Sequence, residues 1–98
     1  MQDQERPDNI QEYLPKFLEH RKADCIKAQS ALMQNKYDEI VRVGHAIKGV
    51  SRPFGFPDLE TMGLKLEEAG LGKEHDACER LIKAIEQMIE DEVKKLNQ

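Results

Sequence analysis

Apolar residues first fall into a repeat at Leu14, after which Leu18, Cys25 and Leu32 recur at steps of four, seven and seven. That spacing stacks side chains on one face of an α-helix and predicts an amphipathic helix running to about residue 34. Pro15 suits the first turn of such a helix, where its missing N–H has no intrahelical partner to lose, and Asn35 is a residue type that ends helices. Upstream, residues 1–9 (MQDQERPDN) are polar and include Pro7, so they are expected to be a flexible N-terminus, with residues 10–13 forming a short helical appendage. From Lys36 a second helical pattern carries Tyr37, Ile40, Val41, Gly44, Ile47, Val50, Ser51 and Phe54, until Pro53 and the Gly55-Phe56-Pro57 cluster break it. Pro57 fits the first position of a third helix, with Asp58 and Glu60 near its positive end and Leu59, Met62, Gly63, Leu66 and Gly70 along it. Gly70 and Gly72 are expected to stop it. The last helix begins near Glu74, presents Cys78, Leu81, Ile85, Met88 and Leu96 on one face, and ends with Lys94 and Lys95 at its negative end.

Four amphipathic helices joined by short connections favour antiparallel neighbours, so residues 10–98 are expected to form one all-α domain, an up-down-up-down four-helix bundle. The composition agrees, with 39% hydrophobic residues, no Trp and 35% charged residues pointing to an aliphatic helical core. Fifteen Lys and Arg against nineteen Asp and Glu leave a net charge of −4, which provides no general field for a phosphate backbone and argues against nucleic-acid binding. No apolar run approaches the roughly 18 residues of a membrane span, and the first twenty residues lack a signal peptide's apolar stretch. A cytoplasmic monomer without membrane contact is expected. Cys25 and Cys78 have no partners at metal-site spacing, so both are read as reduced, half-buried packing residues, and neither has a base that would make it a nucleophile. The pairs His75 with Glu79 and His20 with Asp24 stand at i, i+4; without further inward-facing ligands they are read as surface ion pairs, and no metal or other cofactor is expected.

His45 departs from the buried pattern. On a helical wheel at about 100° per residue with Ile40 at zero, Gly44 and Ile47 fall near the centre of the buried face while His45 lies about 140° away, toward solvent. Lys48, Arg52 and Arg42 fall at about 80°, 120° and 200°, so cations flank the imidazole within an acidic protein. Gly49 lies at i+4 from His45, and a glycine inside a helix costs roughly 1 kcal/mol relative to alanine. Leaving space over the imidazole for a bulky partner is one reason to accept that cost. Gly44, by contrast, points inward and is read as a packing residue. An exposed neutral imidazole nitrogen can accept a phosphoryl group, and neighbouring Lys or Arg can offset charge on its oxygens. No GxxxxGK[ST] loop and no acidic magnesium cluster accompany it, so the chain is not expected to be an enzyme, and the phosphoryl group must come from another protein.

The run His45-Ala46-Ile47-Lys48-Gly49, continuing through Ser51, Phe54, Gly55, Phe56, Leu59, Gly63, Leu66 and Glu67, resembles the HxxKG signature and following helix of histidine-containing phosphotransfer domains. The resemblance covers residues 37–71 by motif and the whole chain by helix order, and extends to the small stand-alone bacterial members. It implies a bundle whose single exposed histidine carries phosphate between receiver-domain aspartates in two-component signalling. It further implies that His45 is the phosphoacceptor through Nε2, that Lys48 supports the phosphate and that Gly49 clears space. Glu67 stands where many receiver-to-receiver members have glutamine and where chemotaxis-type kinase phosphotransfer domains have glutamate. A carboxylate accepting Nδ1–H would fix the tautomer with the lone pair on Nε2. Arg42, Arg52 and Ser51 are expected to assist the phosphate, and Leu64, which the wheel puts beside Glu67, to join Phe54 and Phe56 in a docking patch. The expected partners are response-regulator receivers and, as an alternative donor favoured by Glu67, an ATP-dependent histidine kinase. A helical adaptor in which His45 is never phosphorylated is the remaining alternative.

Overall fold

The computed structural model describes residues 8–98. Among them are four α-helices, α1 (Asp8–Met33), α2 (Tyr37–Ser51), α3 (Pro57–Leu71) and α4 (His75–Leu96), with a 3-10 turn, Arg52–Phe54, between α2 and α3. Each helix packs against its neighbours in sequence, and α1 closes the ring against α4, which makes an antiparallel bundle. Of the N-terminal segment expected to be flexible, residues 1–7 lie outside the described residues. Residues 10–13 are helical but continuous with α1 rather than a separate appendage, and Pro15 therefore sits inside the helix instead of in its first turn. An interior proline costs about 3 kcal/mol in an isolated helix; here Leu14, Phe17 and Leu18 pack against the core around it, and tertiary burial offsets that cost.

Three of the chain reversals share one device. Asn35 adopts φ 57°, Lys36 N–H donates to Ala31 O at 2.8 Å and Asn35 N–H to Leu32 O at 3.1 Å, a Schellman end to α1. The same pair of bonds recurs at Gly55 (φ 89°), after the 3-10 turn, and at Lys73 (φ 52°), after α3. Gly70 is not the terminator expected from its residue type: it lies inside α3, buried against Ile40 and Val41 of α2, and the left-handed position falls on Lys73.

The core is aliphatic, built on Leu18, Ile40, Ile47, Leu66, Ile82, Ile85 and Ile89. Both cysteines are fully buried rather than half-buried. Burial pushes the Cys25 thiol up to about 12, with Glu86 and Asp24 adding to it, and raises the Cys78 thiol as well, so both are inert packing residues. On α4 the buried stripe is Cys78, Ile82, Ile85 and Ile89; Leu81 and Met88 flank it, and Leu96 is exposed. On α2 Val43, not named in the expected apolar set, is buried, whereas Val50, which belongs to it, is exposed. At the α2–α3 corner, Phe54 and Phe56 stack on Phe17 of α1 at centroid distances of 4.3 and 5.6 Å, with Arg21 over the Phe17 ring. The corner is thereby fastened to the bundle.

Candidate functional site

Two glycines set the spacing of α2 and α3. A Cβ on Gly44 would lie 2.6 Å from Glu67 N and 2.8 Å from Gly63 O, and a Cβ on Gly63 would lie 2.7 Å from Lys48 N. Only hydrogen fits at either place, so the two backbones meet along this seam. That approach brings the backbone of Glu67 against α2 one residue before His45, and puts a carboxylate from α3 within reach of side chains on α2.

The His45 side chain is 68% exposed, on the solvent side of α2 as the wheel predicts. Its Nδ1 lies 3.1 Å from Glu67 Oε2. An ionised carboxylate can only accept, so in the neutral ring Nδ1 carries the proton and the Nε2 lone pair is left free. Lys48 Nζ donates to the other oxygen, Glu67 Oε1, at 3.0 Å. The Lys48 bond is the main reason the Glu67 carboxyl is held below its ordinary value of 4.5; partial desolvation works against it and the His45 bond adds to it. Glu67 therefore stays ionised, and keeps orienting the imidazole, under acid conditions that would neutralise a free carboxylate. One carboxylate serves both His45 and Lys48, a link that helix wheels drawn one at a time do not reveal.

Gly49 has no atom within 4 Å of where a Cβ would stand, so the surface beside His45 is open there. Leu64 is 39% exposed on α3. The remaining expected site residues are placed otherwise. Ser51 is fully buried and donates its hydroxyl to Ile47 O at 2.6 Å, so it faces the core and cannot assist a surface phosphate. Phe54 and Phe56 are half-buried, each with one ring face stacked on Phe17. Arg42 lies near Glu39 at 3.4 Å, and Arg52 is held by Glu60 of α3 at 2.8 Å. Glu60 entered the sequence reading only as an acid at a helix start. A signal for its role was present, because antiparallel helices that pair residue 45 with 67 also bring 52 opposite 60.

The expected i, i+4 ion pairs are not those that form. Asp24 pairs with Arg21 at 2.8 Å rather than with His20, and Glu79 with Lys83 at 3.6 Å rather than with His75. His75, Asp76 and Glu79 bring potential ligand atoms within 4.8 Å of one another, but all three are exposed, with His75 facing Asp76 at 3.8 Å. None of these groups matches the arrangement at His45, where an exposed imidazole held at Nδ1 stands near Lys48 and the open surface at Gly49. Among the described residues no helix is long and apolar enough to cross a membrane.

The family model described as Hpt domain matches residues 12–94. No curated protein and no solved structure matches the chain.

Proposed function

Because the chain belongs to the Hpt domain family, whose members serve histidine phosphotransfer in phosphorelay signalling, we propose that His45 is its phosphoacceptor and that a receiver domain is its donor. The observation that carries this reading is the exposed imidazole fixed at Nδ1 by Glu67. In the proposed step the Nε2 lone pair attacks the phosphorus of a receiver's aspartyl phosphate. A P–N bond forms, the acyl P–O bond breaks, and the electron pair leaves with the aspartate carboxylate. Nδ1 keeps its proton on Glu67 Oε2 throughout, so the positive charge gained by the ring is met by a carboxylate already in place. Lys48, anchored on Glu67, supplies the cation nearest the incoming oxygens, and Gly49 leaves room for the receiver. Transfer to a second receiver is the same step in reverse. The protein itself acts as a carrier in the cytoplasm, as a monomer and without a nucleotide site of its own.

Glu67 favours a second reading, in which an ATP-dependent histidine kinase of the chemotaxis type phosphorylates His45 directly. Incubating the protein with phosphorylated receivers and, separately, with such a kinase and ATP, then measuring acid-labile phosphate on the chain, distinguishes them. Receiver-dependent labelling is expected. Labelling by the kinase alone would replace the first reading with the second, and labelling by neither would leave the adaptor.

A further inference from the structure

Beyond His45, the seam between α2 and α3 carries a second cross-helix pair in the same register. Arg52 stands seven residues after His45, two turns or about 10 Å further along the same stripe. Its partner Glu60 stands seven residues before Glu67. Both Nε and Nη2 of Arg52 lie 2.8 Å from Glu60 Oε1. Arg52 is nonetheless 70% exposed, whereas Glu60 is 27% exposed, so the guanidinium faces outward over its counter-ion. Between the two pairs lie the open surface at Gly49 and the exposed Leu64.

The charge pattern around His45 is balanced in the resting protein. Two cations of α2 and one at the start of the following 3-10 turn flank His45, and each is matched by a glutamate: Arg42 by Glu39, Lys48 by Glu67 and Arg52 by Glu60. A donor bearing an aspartyl phosphate arrives as an anion, and must find a cation that its resting partner can give up. Lys48 is the least exposed of the three and is tied into the His45 orientation. Arg42 stands three residues before His45, whereas Gly49 and Arg52 stand four and seven after it. Of the three, Arg52 is the one that follows Gly49, is exposed, and is held by a glutamate with no second task at His45.

We propose that the Arg52–Glu60 pair is the receiver-recognition element of this surface, Glu60 restraining an arginine that an acidic receiver takes up on docking. This rests on the carrier reading and adds to it a residue that selects the partner without touching the phosphoryl group. Removing Arg52 takes away the cation, while removing Glu60 frees it, so the two neutral substitutions act on receiver encounter with opposite signs. As members of one exposed ion pair, they act on stability with the same small sign.

The experiment compares the parent with Arg52→Gln and Glu60→Gln in three measurements: melting temperature, phosphorylation of His45 by phosphoramidate, and kcat/KM for transfer from a phosphorylated receiver at low and high salt. Phosphoramidate is a small donor that needs no docking surface. Equal rates with it are expected for all three proteins, while receiver transfer falls about three- to tenfold in Arg52→Gln and rises by a similar factor in Glu60→Gln at low salt, the differences shrinking at high salt. Receiver transfer that moves the same way in both variants, or not at all, would overturn the inference. So would slower phosphoramidate labelling of Arg52→Gln, which would put the guanidinium on the phosphoryl group instead. A parent labelled by neither donor would overturn the carrier reading itself, an outcome separate from these.

Discussion

A carboxylate 3.1 Å from His45 Nδ1 and 3.0 Å from Lys48 Nζ couples two side chains that a helix wheel treats as independent. The wheel places His45 outward, and that placement holds. The pairing of Glu67 with His45 was expected from the resemblance, but that Lys48 shares the same carboxylate was not readable, because it depends on the depth at which α2 and α3 pack. Separate roles for Lys48 and Glu67 are therefore not expected, and their substitutions should be non-additive. Glu67→Ala removes the acceptor that keeps the proton on Nδ1, so nitrogen-15 NMR of the unphosphorylated variant should show a mixture of Nδ1–H and Nε2–H tautomers where the parent shows mainly Nδ1–H. An unchanged tautomer ratio would mean that solution does not preserve the 3.1 Å contact. Gly49 gives a residue-scale contrast. With nothing within 4 Å of its Cβ position, Gly49→Gln should leave the fold intact and raise stability by up to about 1 kcal/mol, as measured by thermal unfolding. Its receiver transfer should nevertheless slow, because the added side chain stands in the open approach to His45; parental kinetics would show that the open surface there serves no partner.

At the scale of elements, the four helices and the turns at Asn35 and Gly55 followed from periodicity and residue type, while the turn at Lys73 and the choice among adjacent apolar stripes did not. On α4 the 3-4-3 series Cys78, Leu81, Ile85, Met88 and the 4-3-4 series Cys78, Ile82, Ile85, Ile89 are both helical. The bundle places the second at its centre and the first at its edge, because packing neighbours, absent from a single helix, decide which stripe is central. Gly70 shows the same limit: a glycine near a helix end reads as a stop, yet here it fits α3 against Ile40 and Val41. Gly44 was correctly read as a packing residue, though its consequence for the site needed the partner helix. A methyl group at Gly44 would meet Glu67 N at 2.6 Å and Glu67 Cα at 2.9 Å, backbone atoms that cannot rotate away. Gly44→Ala should therefore cost about 1–3 kcal/mol in chemical denaturation and push Glu67 off His45, so that the tautomer mixture of Glu67→Ala reappears without any change to Glu67. A stability within about 0.5 kcal/mol of the parent would show that the helices part freely.

For the whole molecule, the all-α bundle was readable because four amphipathic segments with short connections leave few other ways to bury an aliphatic core. The distribution of aromatics was less so. Phe54 and Phe56 read as docking residues from their place near the motif; the stack that each makes on Phe17 of α1, which anchors the corner between α2 and α3, was not readable there. On the proposed reading, Leu64, Gly49 and the ion pairs of the seam form the recognition surface, and the phosphoryl chemistry is concentrated in the imidazole of His45. The most direct test is to expose the parent and His45→Gln to a phosphorylated receiver and locate the acid-labile phosphate by mass spectrometry under neutral conditions. The parent should carry one phosphoryl group on His45, and the variant should carry none while keeping the parental circular dichroism spectrum, since the side chain lies outside the core. Phosphate at a parental level on His45→Gln, at His20 or His75, would contradict the assignment of the carrier function to this site.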